Sequence, residues 1–172
     1  MARSRHVGTS ACRPPAGSRC TGARLRVGDN PSVSANLELV RSIYAAWERR
    51  DYVWVEWADP AIDFAVADGP SPGRWTGLAG MWKGWQEILE PWEDWRVDQL
   101  EYRELDAERV LVFVRLGGRG KTSGLEVADL TREGANLFRI RDGKVRSLTL
   151  YWDRDRVLAD IGLAPEGGPP DS

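Results

Sequence analysis

The hydrophobic period of this chain is mainly 3.6 residues before Arg96 and 2 from there onward, which puts helices first and a meandering sheet after. After Ser34, a candidate N-cap, Leu37, Val40, Ile43, Tyr44 and Trp47 recur on one face of a helix ending near Arg50. A shorter helical stretch, YVWVEWAD, is expected next, stopped by Pro60. AIDFAVAD alternates Ile62, Phe64 and Val66 against Asp63, Ala65 and Ala67, the pattern of a short strand running into the loop DGPSPG. Thr76 can cap a further helix, whose stripe is Leu78, Met81, Trp82, Trp85, Ile88 and Leu89 and which Pro91 closes. WRVDQLEYREL, ERVLVFVRL, LEVADLTREGANLFRI and KVRSLTLYW then read as four strands, and DRDRVLADIGL as a C-terminal helix capped by Asp153. The class is α+β with a meandering antiparallel sheet, not a parallel βαβ fold.

The strand VLVFVRL is apolar on both sides, with Val110, Val112 and Val114 against Leu111 and Phe113, so both faces of the sheet must be covered. Helices can cover one; a homodimer through the sheet is the economical cover for the other. In the last hairpin, a three-residue loop Arg141-Asp142-Gly143 would pair Ile140 with Lys144 and Asn136 with Leu148. Asn136, Phe138 and Ile140 then share a face with Leu148, Leu150 and Trp152. A two-residue Asp-Gly loop would instead bring Arg139 and Arg146 onto that apolar face. Asn136 is thus expected as a polar side chain among apolar ones, where an unpaired amide costs about 1–3 kcal/mol.

Charge and composition remove whole classes of function. Residues 1–32 hold six Arg against one Asp, whereas the rest holds 18 basic against 25 acidic residues. An acidic body argues against a nucleic-acid groove, which needs clustered cations. No apolar run approaches the roughly 18 residues of a membrane span, and none forms the core of a secretory signal, so a cytoplasmic location is expected. Cys12, Cys20 and His6 are the whole thiol and imidazole inventory, and all lie in the first 32 residues. That excludes a disulfide scaffold, a structural zinc site of about four Cys or His ligands, and any His-based triad in the body; no metal or cofactor is expected. Residues 1–32 are read as a disordered basic tail, with a true start near Val33, residues 33–164 as the domain, and 165–172 as a second tail.

In their order and spacing, NLELVRSIYAAWERRDY, WADPAIDF, WTGLAGMWKGW and ANLFRIRDGKVRSLTLYWDRDRVLADIGL resemble the SnoaL-like branch of the nuclear transport factor 2-like superfamily, which includes ketosteroid isomerase. The resemblance covers residues 33–164. It implies a cone-shaped curved antiparallel sheet wrapped by N-terminal helices, a deep pocket between them and commonly a homodimer. It does not fix an activity, because that fold hosts isomerases, cyclases, dehydratases, epoxide hydrolases and non-catalytic binding proteins. From the isomerase branch, Asp68 falls at the general-base position and Asn136 at that of an acid that stabilises an oxyanion. The branch's oxyanion Tyr matches Ile43, with Tyr44 one residue on and about 100° round the helix, so that donor is expected to be lost.

Two functional readings follow. In the first, an apolar carbonyl compound is isomerised or cyclised, with Asp68 as base and Asn136 as oxyanion donor. In the second, the chain is a non-catalytic binder, or a dimeric scaffold whose interior is filled. The plainer alternatives are that Asp68 is a turn residue and Asn136 a satisfied core amide. Glu126 joins the pocket if no bulge precedes it. Tyr44, Trp82, Trp85, Phe138, Leu148, Leu150 and Trp152 are the expected pocket lining, and nine Trp in all suit a flat or polycyclic apolar ligand.

Overall fold

The computed structural model describes residues 34–53, 56–121 and 132–163. The chain divides into two units, Met1–Ser32 and Val33–Ser172, and all described residues fall in the second. The expectations for both tails, for a start at Val33 and for Glu126 lie outside the described residues.

Helix α1 (Ala35–Glu48) begins at Ser34, whose Oγ accepts the amide of Leu37 at 3.1 Å. It is followed by β1 (Ala58–Val66), β2 (Gly73–Thr76), α2 (Gly77–Leu89), β3 (Trp92–Glu104), β4 (Arg109–Gly120), β5 (Arg132–Arg141), β6 (Lys144–Tyr151) and α3 (Arg154–Asp160). The six strands form one sheet in the order β2-β1-β6-β5-β4-β3. Its ladders are antiparallel except between β1 and β6, which run parallel.

Three local expectations are corrected. The described part of YVWVEWAD holds no α-helix; β1 already starts at Ala58 and runs through Pro60. The proline sits at an irregularity between Ala58 and Asp63, where its missing N–H is tolerated. After the expected loop DGPSPG, Gly73–Thr76 pairs with β1 as β2, a short strand to which the sequence reading assigned nothing. Thr76 precedes α2, but its hydroxyl donates to Asp63 Oδ1 at 3.3 Å and makes no cap.

The hairpin register is the third. Arg141 pairs with Lys144, so the turn has two residues, and Asp142 (φ 54°) and Gly143 (φ 70°) both adopt the left-handed conformation. Two positive φ angles are the requirement of a type I′ turn. A bulge then shifts the register between Arg139 and Ile140, so that Phe138 faces Leu148 and Asn136 faces Leu150. The bulge absorbs Arg146, which is exposed and bridges to Asp59 at 2.7 Å. The expected faces survive although the expected pairs do not, because an extra residue in one strand does the same work as an extra residue in the turn.

One face of the sheet packs Ile62, Phe64, Val66, Val112, Phe138 and Leu148 against α1 and α2. On the other, Leu111, Phe113, Ala135 and Tyr151 are covered by Val157 and Leu158 of α3. Asp153 caps α3 by accepting the amides of Asp155 and Arg156, and the Arg154 guanidinium lies 4.2 Å from the centre of the Phe113 ring. The second layer assigned to a partner subunit is thus supplied by the chain itself, and the burial of Leu111 and Phe113 no longer argues for a dimer. Phe113 is fully buried, so Phe113→Ala should cost about 3–5 kcal/mol in urea unfolding of the isolated chain. A loss below about 1 kcal/mol would mean that α3 leaves this side chain loosely packed.

Candidate functional site

The site begins with a hydrogen bond that joins α1 to the middle of the sheet. Asn136, 5% exposed on β5, donates from Nδ2 to the Tyr44 hydroxyl oxygen at 2.6 Å. Tyr44 is itself buried, with Trp47 (5.0 Å), Tyr102 and Phe138 (6.0 Å each) around it edge-on. Val40, Ile43 and Tyr44 are all buried, because the helix inserts a face wide enough to hold neighbouring positions, so a phenol lies inside one residue past the position matched to the oxyanion Tyr. Burial pushes the Tyr44 phenol well above its ordinary range, while the amide of Asn136 pulls in the opposite direction and Tyr102 adds a smaller upward push.

Asp68 lies two residues past the end of β1, half-buried, and its Oδ1 accepts the backbone N–H of Trp152 at 2.6 Å. Next to it, Gly69 has φ +94°, and a Cβ there would lie 2.5 Å from the indole of Trp152. Carboxylate and glycine together hold the end of β6 and let the indole lie against the loop. Leu150 of β6 pairs with Val66 on one side and Asn136 on the other, so Asp68 and Asn136 flank the same strand end.

Two larger cavities open near these groups. The inner one, about 330 Å³, lies between α1, α2 and β3 and is walled by Tyr44, Trp47, Trp85, Leu89, Trp95 and Val97. Gln99 also lines it, and Glu48, Arg50, Asp94, Arg96 and Asp98 add charges to its lining. Hydrogen bonding to Arg96 holds the Asp94 carboxyl below its usual range, against a smaller opposing effect of burial, so this acid stays ionised at neutral pH. The indole nitrogens of Trp47 and Trp95 are buried and have no hydrogen-bond partner among the described residues. The outer cavity, about 420 Å³, is walled by Trp92, Trp95, Trp152, Leu116 and Gly117, with Gly69, Pro70 and Arg132 completing it. A third, of about 90 Å³, lies beside Trp92 and Trp152. Neither Asp68 nor Asn136 lines any of the three.

The expected lining divides accordingly. Tyr44 and Trp85 line the inner cavity, and Trp152 the outer one. Phe138, Leu148 and Leu150 belong to the packed core and wall none of these spaces. Trp82 is corrected: it is 49% exposed, because the buried stripe of α2 runs Met81, Gly84, Trp85 and Ile88. Trp47 and Trp95 were not singled out as lining. The signal for Trp95 was the alternation of Trp95, Val97 and Gln99, which all line the inner cavity. Among the described residues no group of three or more His, Cys, Asp or Glu side chains is placed to hold a metal.

Residues 40–148 match the family model described as a SnoaL-like domain. No curated protein matches the sequence. Among solved structures, a nuclear transport factor 2-like protein of unknown function from Burkholderia pseudomallei is 20% identical, with a TM-score of 0.62 over 73% of this chain and 96% of that one. TerC, co-crystallised with polyporic acid, is 21% identical, with a TM-score of 0.60 over 76% and 98%. A protein of ketosteroid isomerase-like fold from Catenulispora acidiphila, in complex with trimethylamine, is 20% identical, with a TM-score of 0.53 over 77% and 98%. At these identities the likeness is one of fold.

The Asn136–Tyr44 bond makes two checks possible. Asn136→Leu strands the buried phenol oxygen and should cost about 1–3 kcal/mol, whereas Asn136→Leu with Tyr44→Phe removes both partners and should recover much of that loss in a double-mutant cycle. The buried phenol also sets a pH dependence. The folded chain holds the Tyr44 proton above the ordinary value of about 10, where the unfolded chain releases it, so this contribution is intact below pH 10 and is lost as pH rises beyond it. Alkaline unfolding of Tyr44→Phe should be less steep than that of the parent; equal slopes would contradict the assignment.

Proposed function

We propose, from the premise that this chain belongs to the SnoaL-like domain family, that it binds a flat, largely apolar molecule carrying a carbonyl-type oxygen in the inner cavity. The observation that carries this reading is the aromatic wall that Tyr44, Trp47, Trp85 and Trp95 give the cavity, the kind of surface on which a flat apolar molecule packs. Tyr44 supplies a donor. Its oxygen already accepts from Asn136, which leaves the phenolic proton for the ligand. The volume, at the lower end of small-molecule sites, suits a bicyclic ketone.

In a catalytic version of this reading, a cyclase- or isomerase-like step, Asn136 acts through Tyr44: its donation makes the phenol a better hydrogen-bond donor to oxygen developing negative charge. Asp68 would take the proton with Oδ2, since Oδ1 is held by Trp152. The non-catalytic version keeps Asp68 only as the clasp on the end of β6, and the position of Asp68 outside the cavities favours it. Neither version requires a metal or a second copy of the chain; a homodimer through the sheet stays a separate proposal, read by sedimentation. No helix among the described residues is long and apolar enough to cross a membrane.

The test is calorimetric titration with α-tetralone, a two-ring ketone. Trp47→Leu, which removes the aromatic face and keeps an apolar side chain, should weaken binding about fivefold or more, with circular dichroism checking that the variant is folded. No binding by the parent, or unchanged affinity in a folded Trp47→Leu, would sink the reading. Asp68→Asn separates the two versions: it keeps an acceptor for the Trp152 amide, so binding should persist in both, and only a proton-transfer role predicts loss of hydrogen exchange at the ketone's α-carbon.

A further inference from the structure

Trp95 belongs to both larger cavities, and it is the one residue they share. Its ring is 5.2 Å from that of Trp92 and 5.5 Å from that of Trp152, and those two are 6.1 Å apart, so three indoles fill the ground between the spaces. It stands on β3, which ends the sheet and pairs only with β4, where Gly118 lies opposite. Its buried Nε1 has no acceptor among the described residues, so ring packing, with no hydrogen bond to it, holds the indole. A side chain held by packing, on an edge strand, between two cavities, is a wall whose size decides how long a ligand can be.

We infer that Trp95 is the length-determining residue of the binding site and that the outer cavity is the continuation of the inner one. With the indole in place, the inner chamber takes a ligand of two rings. With the indole removed, the two chambers join and take a linear polycyclic ketone or quinone, stacked on Trp92 and Trp152. This rests on the inner cavity being the ligand site.

Equilibrium dialysis with α-tetralone and with the four-ring tetracenequinone tests it. The parent should bind α-tetralone more tightly than tetracenequinone by about tenfold or more. Trp95→Ala, and Trp95→Leu as the variant that keeps more of the packing, should each bind tetracenequinone at least about tenfold more tightly than the parent, while α-tetralone, which loses part of its wall, binds more weakly than to the parent. If a folded variant gains nothing for tetracenequinone while the parent binds α-tetralone, the inference is overturned and the inner-cavity reading stands. A parent that already takes tetracenequinone as tightly as α-tetralone overturns the inference without any variant. If α-tetralone binds to no form of the chain, both fail.

Discussion

The hydrogen bond between Asn136 and Tyr44 joins residues 92 positions apart in the sequence and is buried on both sides. An amide in an apolar layer is costly unless paired, and so is a phenol; each is tolerated because of the other. Their meeting fixes how far α1 descends onto the sheet and therefore the position of Trp47, one turn further along the same helix face. From Trp47 onward the wall is ring against ring: Trp47 against Trp85 at 5.3 Å, and Trp85 stacked on Phe64 at 5.4 Å. One polar pair thus sets the reference point from which an otherwise non-directional aromatic interior is positioned.

That pair depends in turn on the register of the last hairpin. Had the two-residue turn been followed by a regular ladder, Arg146 would have entered the apolar layer. The bulge prevents it and sends Arg146 out to Asp59, which is only 8% exposed and also accepts the amide of Ala61. The choice between faces was legible in the sequence, because burying two arginines is far more costly than a bulge. The device that achieves it was not, since an extra residue in the turn and one in the strand produce the same alternation. The same limit explains Tyr44. Periodicity places a stripe, but it cannot say whether position 43 or 44 reaches a partner on a strand 92 residues away.

Other misreadings have a shared cause. YVWVEWAD carries aromatic and β-branched residues that suit either period, and Pro60 reads as a helix stop in the sequence although an irregularity in β1 accommodates it. Periodicity puts Trp82 on the apolar stripe beside Met81, yet it is largely exposed. On α2 the inward positions include Gly84, where a Cβ would come within 2.8 Å of Phe64 and Trp75, so the helix lies close to the sheet and a large neighbour at 82 has room only outside. The aromatic content of the chain was visible; its division into core, wall and surface was decided by close approaches of this kind, which leave only a glycine as their trace.

The cavity wall also bears on stability. Several polar groups around the space are held from within: Gln99 donates to the Val97 carbonyl at 3.1 Å, Asp94 is held by Arg96, and the Tyr44 oxygen by Asn136. The aromatic wall of Trp47, Trp85 and Trp95 keeps apolar surface open to the same space, and an incoming apolar ligand would give it the cover it lacks. A ligand that supplies it is bound by the folded state and not by the unfolded one, and stabilises the fold in proportion to the logarithm of its concentration above Kd. Stability gained from occupancy, in place of internal pairing, is what separates a binding cavity from a packing defect of the same volume.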